Sequence, residues 1–250
     1  MEQAATDTRL HPVAAYRAMR NLLRDREDTR QVFLLIDALR GKTTLRQLER
    51  FRQTEFGRTA LADRRRLLDR LNDRDSLAKM PAGTLGRAYF DFMAAENLSA
   101  DGLVEASTIP QSSDDQIWFR ERTREMHDLL HIVGGYGRDP LGEACLVAFT
   151  YAQGRQKGLA VIATVAARRV SRALPGQPGR RAIFEGYRRG RAAKWLIGAD
   201  WEALLERPVA EIRQELGIRP AKYYPQIIAA IREGRVTPVG GVRPPQEVPA

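Results

Sequence analysis

The chain has 250 residues, a net charge of +10, and a hydrophobic content of 43%. This length suits one large domain or two small ones, and the hydrophobic content excludes a globally disordered chain. The single cysteine, Cys145, excludes an intramolecular disulfide and is interpreted as a small buried hydrophobic residue.

Apolar residues recur with helical periodicity along most of the chain, and strand-like alternation is scarce, so the sequence predicts an all-α fold. The predicted helices, in chain order, are His11–Arg26, Thr29–Leu39, Thr44–Gln53, Gly57–Leu71, Leu85–Ala95, Asp114–Val133, Pro140–Lys157, Leu159–Arg172, Arg180–Ile197, Pro208–Leu216 and Pro220–Glu233. Thr43 and Asp114 are predicted N-caps. Because no strong linker divides the chain, we expect one multi-helix domain over residues 1–236 and a flexible tail over residues 237–250.

No segment predicts a membrane span or a targeting peptide. The longest apolar run, Leu159–Ala167, has nine residues, whereas a span needs about 20. The N-terminus contains Glu2 and Asp7 and lacks an apolar core, which does not fit a signal peptide. We therefore expect a cytoplasmic protein that is peripheral on the inner face of the membrane.

The positive charge is concentrated between residues 151 and 195, which contain eleven lysines and arginines and one acidic residue, Glu185. Such a segment predicts an anionic partner, although a solvated basic surface explains it equally well. An anionic membrane surface is favoured over nucleic acid because interleaved aromatic residues and recognised nucleic-acid motifs are lacking.

One predicted helix in this segment, Leu159–Arg172, begins apolar and ends with Arg168, Arg169 and Arg172. That gradient suits a membrane interface, with the apolar residues inward and the arginines at the headgroups. A core helix with a solvated end is an equally good explanation.

The segment His127-Asp128-Leu129-Leu130-His131 contains two of the three histidines, and Glu143 follows twelve residues later. Four residues are about one helical turn, so both imidazoles project from one face, with Asp128 in the same arc. Two histidines and nearby carboxylates at this spacing predict a site for a divalent metal. His127, Asp128, His131 and Glu143 are the candidate metal ligands and catalytic residues.

Local signals around the motif predict a helical hairpin. Gly134 and Gly135 predict the end of the first helix, and Asp139 and Pro140 predict the N-cap and first residue of the next. A short loop folds two helices back antiparallel, which would bring Glu143 to the histidines. Alternatively, Glu143 only complements the dipole of its own helix.

The ligand set suits zinc first, with iron or manganese as alternatives. Asp128 is predicted to ligate the metal directly, with a supporting or catalytic role as the alternative. A metalloprotease is disfavoured because its motif requires glutamate where this chain has Asp128. A helical metal-dependent phosphohydrolase would need another upstream histidine, and His11 is the one available.

The motif His-Asp-x-x-His, eleven residues and Glu resembles the signature of the Coq-four family of ubiquinone (coenzyme Q) biosynthesis. The resemblance covers about residues 10–220. It includes the segments Arg122-Thr123-Arg124-Glu125-Met126, Gly142-Glu143-Ala144, Thr84-Leu85-Gly86-Arg87-Ala88-Tyr89, Glu206-Arg207-Pro208-Val209-Ala210-Glu211-Ile212-Arg213 and Leu216-Gly217-Ile218.

This resemblance implies a helical, peripherally membrane-associated homodimer that works with other ubiquinone biosynthesis enzymes. It implies an apolar groove near the metal motif for a polyprenylated aromatic lipid. It also implies metal-dependent oxidative decarboxylation and hydroxylation at ring carbon one of a polyprenylated 4-hydroxybenzoate-derived intermediate. Dioxygen or a redox-active metal would be the oxidant, since no Gly-x-Gly-x-x-Gly pattern indicates a flavin or nicotinamide. The alternative is a non-catalytic scaffold that binds isoprenoid lipids and organises the biosynthetic complex.

Overall fold

The structure is a computed structural model that describes residues 8–24, 29–95 and 113–239. Within these ranges every regular element is helical, which confirms the predicted all-α fold. The α-helices are α1 (Pro12–Arg24), α2 (Thr29–Ala38), α3 (Thr43–Arg52), α4 (Glu55–Ala62), α5 (Leu67–Asn72), α6 (Arg74–Lys79), α7 (Leu85–Ala95), α8 (Asp114–Glu125), α9 (His127–Gly134), α10 (Pro140–Gly154), α11 (Lys157–Ala173), α12 (Gly179–Ala192), α13 (Trp201–Leu204), α14 (Val209–Glu215) and α15 (Tyr223–Arg232). A short 3-10 helix, Leu196–Gly198, lies between α12 and α13.

None of the described helices combines the length and the apolar character that crossing a membrane requires.

Three predictions fall wholly or partly outside the described residues: the character of residues 1–7, the end of the first helix at Arg26, and most of the tail. Where the tail is described, the amide of Val239 donates to the carbonyl of Ala173 at 2.8 Å. The flexibility of the tail stays a prediction.

The predicted helix Gly57–Leu71 is wrong, because the structure divides it into α4 and α5. Between them, Arg64 has a φ of 52°, a left-handed conformation that a right-handed helix cannot continue. The linking residues contain neither glycine nor proline, so no local signal marks the break. The chain turns here because tertiary packing buries Leu67 and Leu71 on the other side of the turn.

Other helix boundaries shift for local reasons. The predicted helix Asp114–Val133 divides at Met126, whose ψ of −5° departs from the helical value. The predicted helix Arg180–Ile197 ends at Ala192, because Ala193 is extended. The short helices α6 and α13 were not predicted.

The predicted N-caps Thr43 and Asp114 are each wrong by one residue. Lys42 precedes α3. Ser113 caps α8, where its hydroxyl accepts a hydrogen bond from the Gln116 amide.

One large core joins most of the helices, and a smaller one lies under the N-terminal helices. Trp201, Tyr136, Phe51, Phe119 and Phe149 are the largest fully buried side chains of the main core. The smaller core consists of alanines of α1 and residues of α2, and Ile162 of α11 packs against it. The interpretation of Cys145 is confirmed, since it is completely buried.

Helices α10 and α12 approach so closely that two positions of α12 must be glycine. A Cβ atom built on Gly186 would lie 2.5 Å from the carbonyl oxygen of Cys145, and one on Gly190 would collide with that of Phe149. These glycines are four residues apart and share one face of α12. Their lack of a side chain brings the two backbones together and fixes α10, the helix that carries Glu143.

Two of the segments that carried the family resemblance lie against each other. The amide of Leu85 donates to the Arg207 carbonyl at 2.9 Å, and the amide of Gly86 donates to the Leu205 carbonyl at 2.8 Å. The amide of Val209 donates to the Gly83 carbonyl at 2.9 Å. These bonds fix the start of α7 and of α14, and both helices pack against α9.

Candidate metal centre

His127 and His131 lie on one face of α9, one turn apart, as their spacing requires. Their Nε2 atoms are 3.2 Å apart, and their rings meet edge to face at an angle of 89°. The two Nε2 atoms, each of which a neutral histidine can offer to a metal, are therefore adjacent.

Glu143 reaches both histidines from the first turn of α10. Its Oε1 lies 3.4 Å from Nε2 of His131, and its Oε2 lies 3.9 Å from Nε2 of His127. Tetrahedral zinc with bonds of about 2.0–2.2 Å places its ligand atoms about 3.3–3.6 Å apart. The two nitrogens and the carboxylate thus have close to the spacing of three ligands around one small cation.

The turn between the helices follows from local sequence signals. Gly135 adopts φ 68°, a left-handed conformation that ends α9. The Asp139 carboxylate accepts hydrogen bonds from the amides of Leu141 and Gly142, with Pro140 at the first helical position. Asp139 is therefore the N-cap of α10, as predicted. The hydroxyl of Tyr224 donates to Asp139 and accepts from the Gly137 amide, which holds the turn from outside the motif.

Asp128 lies in the first turn of α9 and is buried. One ligand atom from each of His127, Asp128 and His131 lies within 4.8 Å of the others. The structure therefore places Asp128 and Glu143 each beside the two histidines. Their roles as ligands and catalytic groups stay predictions.

The surroundings of His131 fix which of its nitrogens faces the site. Nδ1 lies 3.0 Å from the carbonyl oxygen of Tyr136, and because a carbonyl can only accept, Nδ1 carries the proton. In the neutral ring, Nε2 is then the unprotonated nitrogen, directed at His127 and Glu143. Phe92 of α7 stacks on the ring, with centroids 5.7 Å apart. Neither Phe92 nor the Tyr136 carbonyl was identified from the sequence, and no local pattern marks them.

The site is closed at the bottom and open on one side. The His131 side chain is fully buried, whereas those of His127 and Glu143 are 35% and 36% exposed. Arg138 stands at the open side, with its Nε 3.8 Å from Oε1 of Glu143. A metal held here would keep an accessible face, as catalytic zinc sites do and closed structural sites do not.

The charges of the site act on one another. Burial lowers the pKa of His127, and the positive charge of His131 lowers it further. Burial also works to lower the pKa of His131, but the hydrogen bond and charge of Glu143 outweigh it and raise that pKa. Burial works to raise the pKa of Glu143, but the hydrogen bond and charge of His131 outweigh it and lower that pKa. The Glu143 carboxylate thus favours a positive charge at His131, whereas burial and His131 favour the neutral form of His127.

A cavity of about 360 Å³ lies on the other side of the turn, between Gly135 and α15. Its lining includes Tyr224, Pro225, Ile228 and Ala229. It does not test the predicted apolar groove for an isoprenoid chain, which stays a prediction.

The fold and the site define an all-helical protein with a candidate metal centre of two histidines and carboxylates. The chain belongs to the family of the coenzyme Q (ubiquinone) biosynthesis protein Coq4, whose family model matches residues 11–222. This confirms the family resemblance and its extent.

Relatives support the same assignment. The chain is 32% identical over 188 residues to the mitochondrial ubiquinone biosynthesis protein COQ4 of Zygosaccharomyces rouxii, covering 72% of this chain and 53% of the relative. It is 30% identical over 186 residues to the mitochondrial COQ4 homolog of Anopheles gambiae, covering 71% and 64%. The chain thus spans between about half and two thirds of the length of these curated relatives.

A solved structure has the same fold. The crystal structure of a candidate ubiquinone biosynthesis protein of Nostoc punctiforme superposes with a TM-score of 0.63 at 24% identity. The superposition covers 85% of this chain and all of the other. At this identity the likeness shows the fold alone.

Proposed function

We propose that this protein is a metal-dependent enzyme of ubiquinone biosynthesis. It acts on a polyprenylated 4-hydroxybenzoate-derived intermediate and replaces the carboxylate at ring carbon one with a hydroxyl. The observation that carries the proposal is the triangle formed by Nε2 of His127, Nε2 of His131 and the carboxylate of Glu143, with one side open. Membership of the Coq4 family supports the pathway.

His127, His131 and Glu143 would hold the metal, with Asp128, whose ligand atom lies within 4.8 Å of those of both histidines, as a further ligand. When bound, the metal would act as a Lewis acid toward a carboxylate or phenolate oxygen of the substrate. Zinc fits this donor set first, with iron or manganese as alternatives. The reaction breaks a carbon–carbon bond to release carbon dioxide and forms a carbon–oxygen bond, so it requires a two-electron oxidant, either dioxygen or a redox-active metal. With dioxygen, water would supply the hydroxyl oxygen and the two electrons would reduce dioxygen to hydrogen peroxide.

Arg138 would bind the substrate and not the metal. Its guanidinium stands at the open side, next to the Glu143 carboxylate. Guanidinium binds carboxylates in a fixed planar geometry. Arg138 would therefore attract the carboxylate of the substrate toward the open face and orient the ring before reaction.

Metal analysis together with product formation tests the proposal. The chain is purified without added metal, bound metal is measured by mass spectrometry, and ring-hydroxylated product is measured with the partner enzymes present. We expect near-stoichiometric metal and product, both lost in His131→Ala and Glu143→Gln. His11→Ala, which removes the histidine outside the motif, is the matched control. Wild-type product levels from folded site variants would overturn the enzyme proposal.

The scaffold alternative is favoured by a different observation, the exposed apolar side chains of α1. Val13 is 62% exposed, Tyr16 67% and Leu23 48%. Such a face suits a lipid or a partner protein. A scaffold would keep its partners and its lipid when the metal ligands are replaced, which separates it from the enzyme. In either case, we expect a homodimer that works with other ubiquinone biosynthesis enzymes.

We further propose that the outer face of α12 attaches the protein to an anionic membrane surface. Phe184 is 61% exposed and stacks on Tyr187, which in turn stacks on Tyr151. Around this aromatic row lie the exposed arginines Arg180, Arg181, Arg188 and Arg191. Aromatic side chains at the lipid boundary and arginines at anionic headgroups are a known combination of peripheral attachment.

The only acidic residue of α12 is directed toward the start of α15. Glu185 is occupied by α15, where its carboxylate accepts hydrogen bonds from the amides of Lys222 and Tyr223 at 3.0 Å each. The arginines of α11 contribute unequally, since Arg168 and Arg172 are exposed but Arg169 donates to the Leu23 carbonyl at 3.4 Å. The protein would then be cytoplasmic and peripheral on the inner face of the membrane.

A further inference from the structure

The helix that carries both histidines ends in a turn that folds back onto His131. The amide of Tyr136 donates to the carbonyl of His131 at 3.0 Å, and the amide of Gly135 donates to that of Ile132 at 3.1 Å. These two bonds form a Schellman motif. The carbonyl of Tyr136 also accepts from Nδ1 of His131 at 3.0 Å. The backbone of Tyr136 is thus hydrogen-bonded to both the main chain and the ring of His131.

Arg189 of α12 holds this turn from both ends. Its Nη1 donates to the Gly134 carbonyl at 2.9 Å, one residue before Gly135. Its guanidinium carbon lies 4.9 Å from the ring centroid of Tyr136, one residue after Gly135. A third bond, from Nε to the Arg219 carbonyl at 2.7 Å, anchors the guanidinium itself. The residue is 6% exposed.

These contacts hold the residues on either side of Gly135. Its two flanking residues cannot rotate independently, because one is hydrogen-bonded to the guanidinium and the other is packed beneath it. The Tyr136 ring is also confined on its other side by Tyr224, with centroids 5.3 Å apart. The Tyr136 carbonyl belongs to the next peptide, whose Gly137 amide donates to the Tyr224 hydroxyl at 2.8 Å. With the turn held on both sides, this carbonyl is directed at Nδ1 of His131.

We propose that Arg189 is a positioning residue for His131. By fixing the turn, it keeps the Tyr136 carbonyl on Nδ1 and so keeps Nε2 unprotonated and aimed at the candidate metal position. Partners that hold the second nitrogen of a metal-binding histidine typically change metal affinity about 10–100-fold when removed. This inference rests on the proposed metal site.

Arg213 of α14 provides a matched control. It caps the same helix end, with Nη2 donating to the Ile132 carbonyl at 2.9 Å and Nε donating to the Val133 carbonyl at 3.1 Å. Both guanidiniums place a positive charge at the C-terminal carbonyls of α9, which stabilises the helix through its dipole. Arg189 packs on the ring of Tyr136, whereas Arg213 binds earlier in the helix. A general capping role would make the two residues equivalent.

The test titrates Co²⁺ into the metal-free chain of 250 residues and follows the visible absorption of Co²⁺, which reports affinity and ligand geometry. The proteins are wild type, Arg189→Met, Arg189→Lys and Arg213→Met, and melting temperature is measured for each. We expect both Met variants to have a lower melting temperature than wild type. We expect Arg189→Met to bind Co²⁺ about 10–100-fold more weakly with an altered spectrum, and Arg213→Met to keep wild-type affinity and spectrum. Equal affinities of the two Met variants would overturn the proposal.

A second measurement tests the role of Arg189 even where Arg189→Met does not fold or the chain binds no metal. The proton position on His131 is read by ¹⁵N NMR of the metal-free protein, at a pH where the ring is neutral, in wild type and in Arg189→Lys, which keeps the charge but loses the planar fork. A proton on Nδ1 in wild type that becomes distributed over both nitrogens in the variant supports the inference. The same proton position in both overturns it. If wild type binds no Co²⁺, the proposed function fails, while this NMR comparison still decides the role of Arg189.

Discussion

Arg122 and Glu202 form a paired salt bridge between α8 and α13, across 80 residues of sequence. Nη1 of Arg122 lies 2.7 Å from Oε1 of Glu202, and Nη2 lies 2.6 Å from Oε2. The Arg122 side chain is 2% exposed and that of Glu202 is 13% exposed. The guanidinium also lies 4.9 Å from the ring of Phe56. This pair joins the helix that leads into the metal motif to the C-terminal half of the fold.

The first prediction concerns acid stability. Burial works to raise the pKa of Glu202, but the hydrogen bonds and charge of Arg122 outweigh it and lower that pKa. A carboxylate with a lowered folded pKa contributes stability above its unfolded pKa, about 4.3, and loses it as pH falls through the folded value. We expect Glu202→Gln to cost about 1.5–3 kcal/mol at neutral pH, because one charged partner of a buried hydrogen-bonded pair is removed.

Urea unfolding from neutral pH downward measures this difference, which should shrink below about pH 4. The control is Glu206→Gln, since Glu206 is 69% exposed and its pair with Arg70 is long at 3.3 Å. That variant should change the free energy of unfolding by about 0–1 kcal/mol. A Glu202→Gln effect that stays constant down to pH 3 would contradict the pKa assignment.

The second prediction separates the two roles open to Asp128. If it ligates directly, mass spectrometry should show that Asp128→Asn loses bound metal as fully as Glu143→Gln does. If Asp128 only supports the ligands, affinity should fall about 10–100-fold with the ligand count unchanged. We expect direct ligation, because Asp128 is buried and lies within 4.8 Å of both histidines.

The third prediction concerns the contact between α10 and α12. Alanine usually stabilises a helix by about 1 kcal/mol relative to glycine. At Gly190, however, the added methyl would collide with the Phe149 carbonyl and push the helices apart. We expect Gly190→Ala to lower the free energy of unfolding by about 1–3 kcal/mol, as overpacked cores do. Arg191→Ala, at the exposed neighbouring position, should stay within about 0.5 kcal/mol of wild type. A stabilised Gly190→Ala protein would show that the helices can separate freely.

The fourth prediction tests the membrane surface. Reversing the charge of Arg180 and Arg181 to glutamate should weaken binding to anionic liposomes by about 1 kcal/mol per charge removed. The same reversal at Arg58 and Lys79, exposed residues on other helices, changes the net charge equally. Liposome pelleting should therefore fall for the first pair much more than for the second. Equal losses would mean that net charge, and not the face of α12, governs binding.

Phe184→Ala checks the apolar part of the same surface. It keeps every charge and removes the exposed ring, so binding should weaken for anionic liposomes at high salt as well, where headgroup attraction is screened. Unchanged binding at both salt concentrations would leave a purely electrostatic attachment.

The structure changes the interpretation of the basic segment in two ways. Arg189 is one of its eleven cations, yet it is buried and hydrogen-bonded to the end of α9, so it adds nothing to the surface. Composition alone does not distinguish an arginine that caps a helix from one that faces solvent. The interpretation that the segment lacks interleaved aromatics is wrong, since Phe184 and Tyr187 lie between Arg181 and Arg188. In the fold, Tyr151 and Tyr187 come from different helices and stack.

The sequence by itself determined the helical class, the family and the arrangement of His127, His131 and Glu143. These depend on local rules: a helical turn aligns two histidines, Gly135 ends one helix, and Asp139 and Pro140 begin the next. Tertiary structure decided the ring orientation of His131, through Phe92, the Tyr136 carbonyl and Arg189 behind it. It also decided the turn at Arg64. These features depend on contacts between segments tens of residues apart, where packing and buried hydrogen bonds override the weak preferences of single residues.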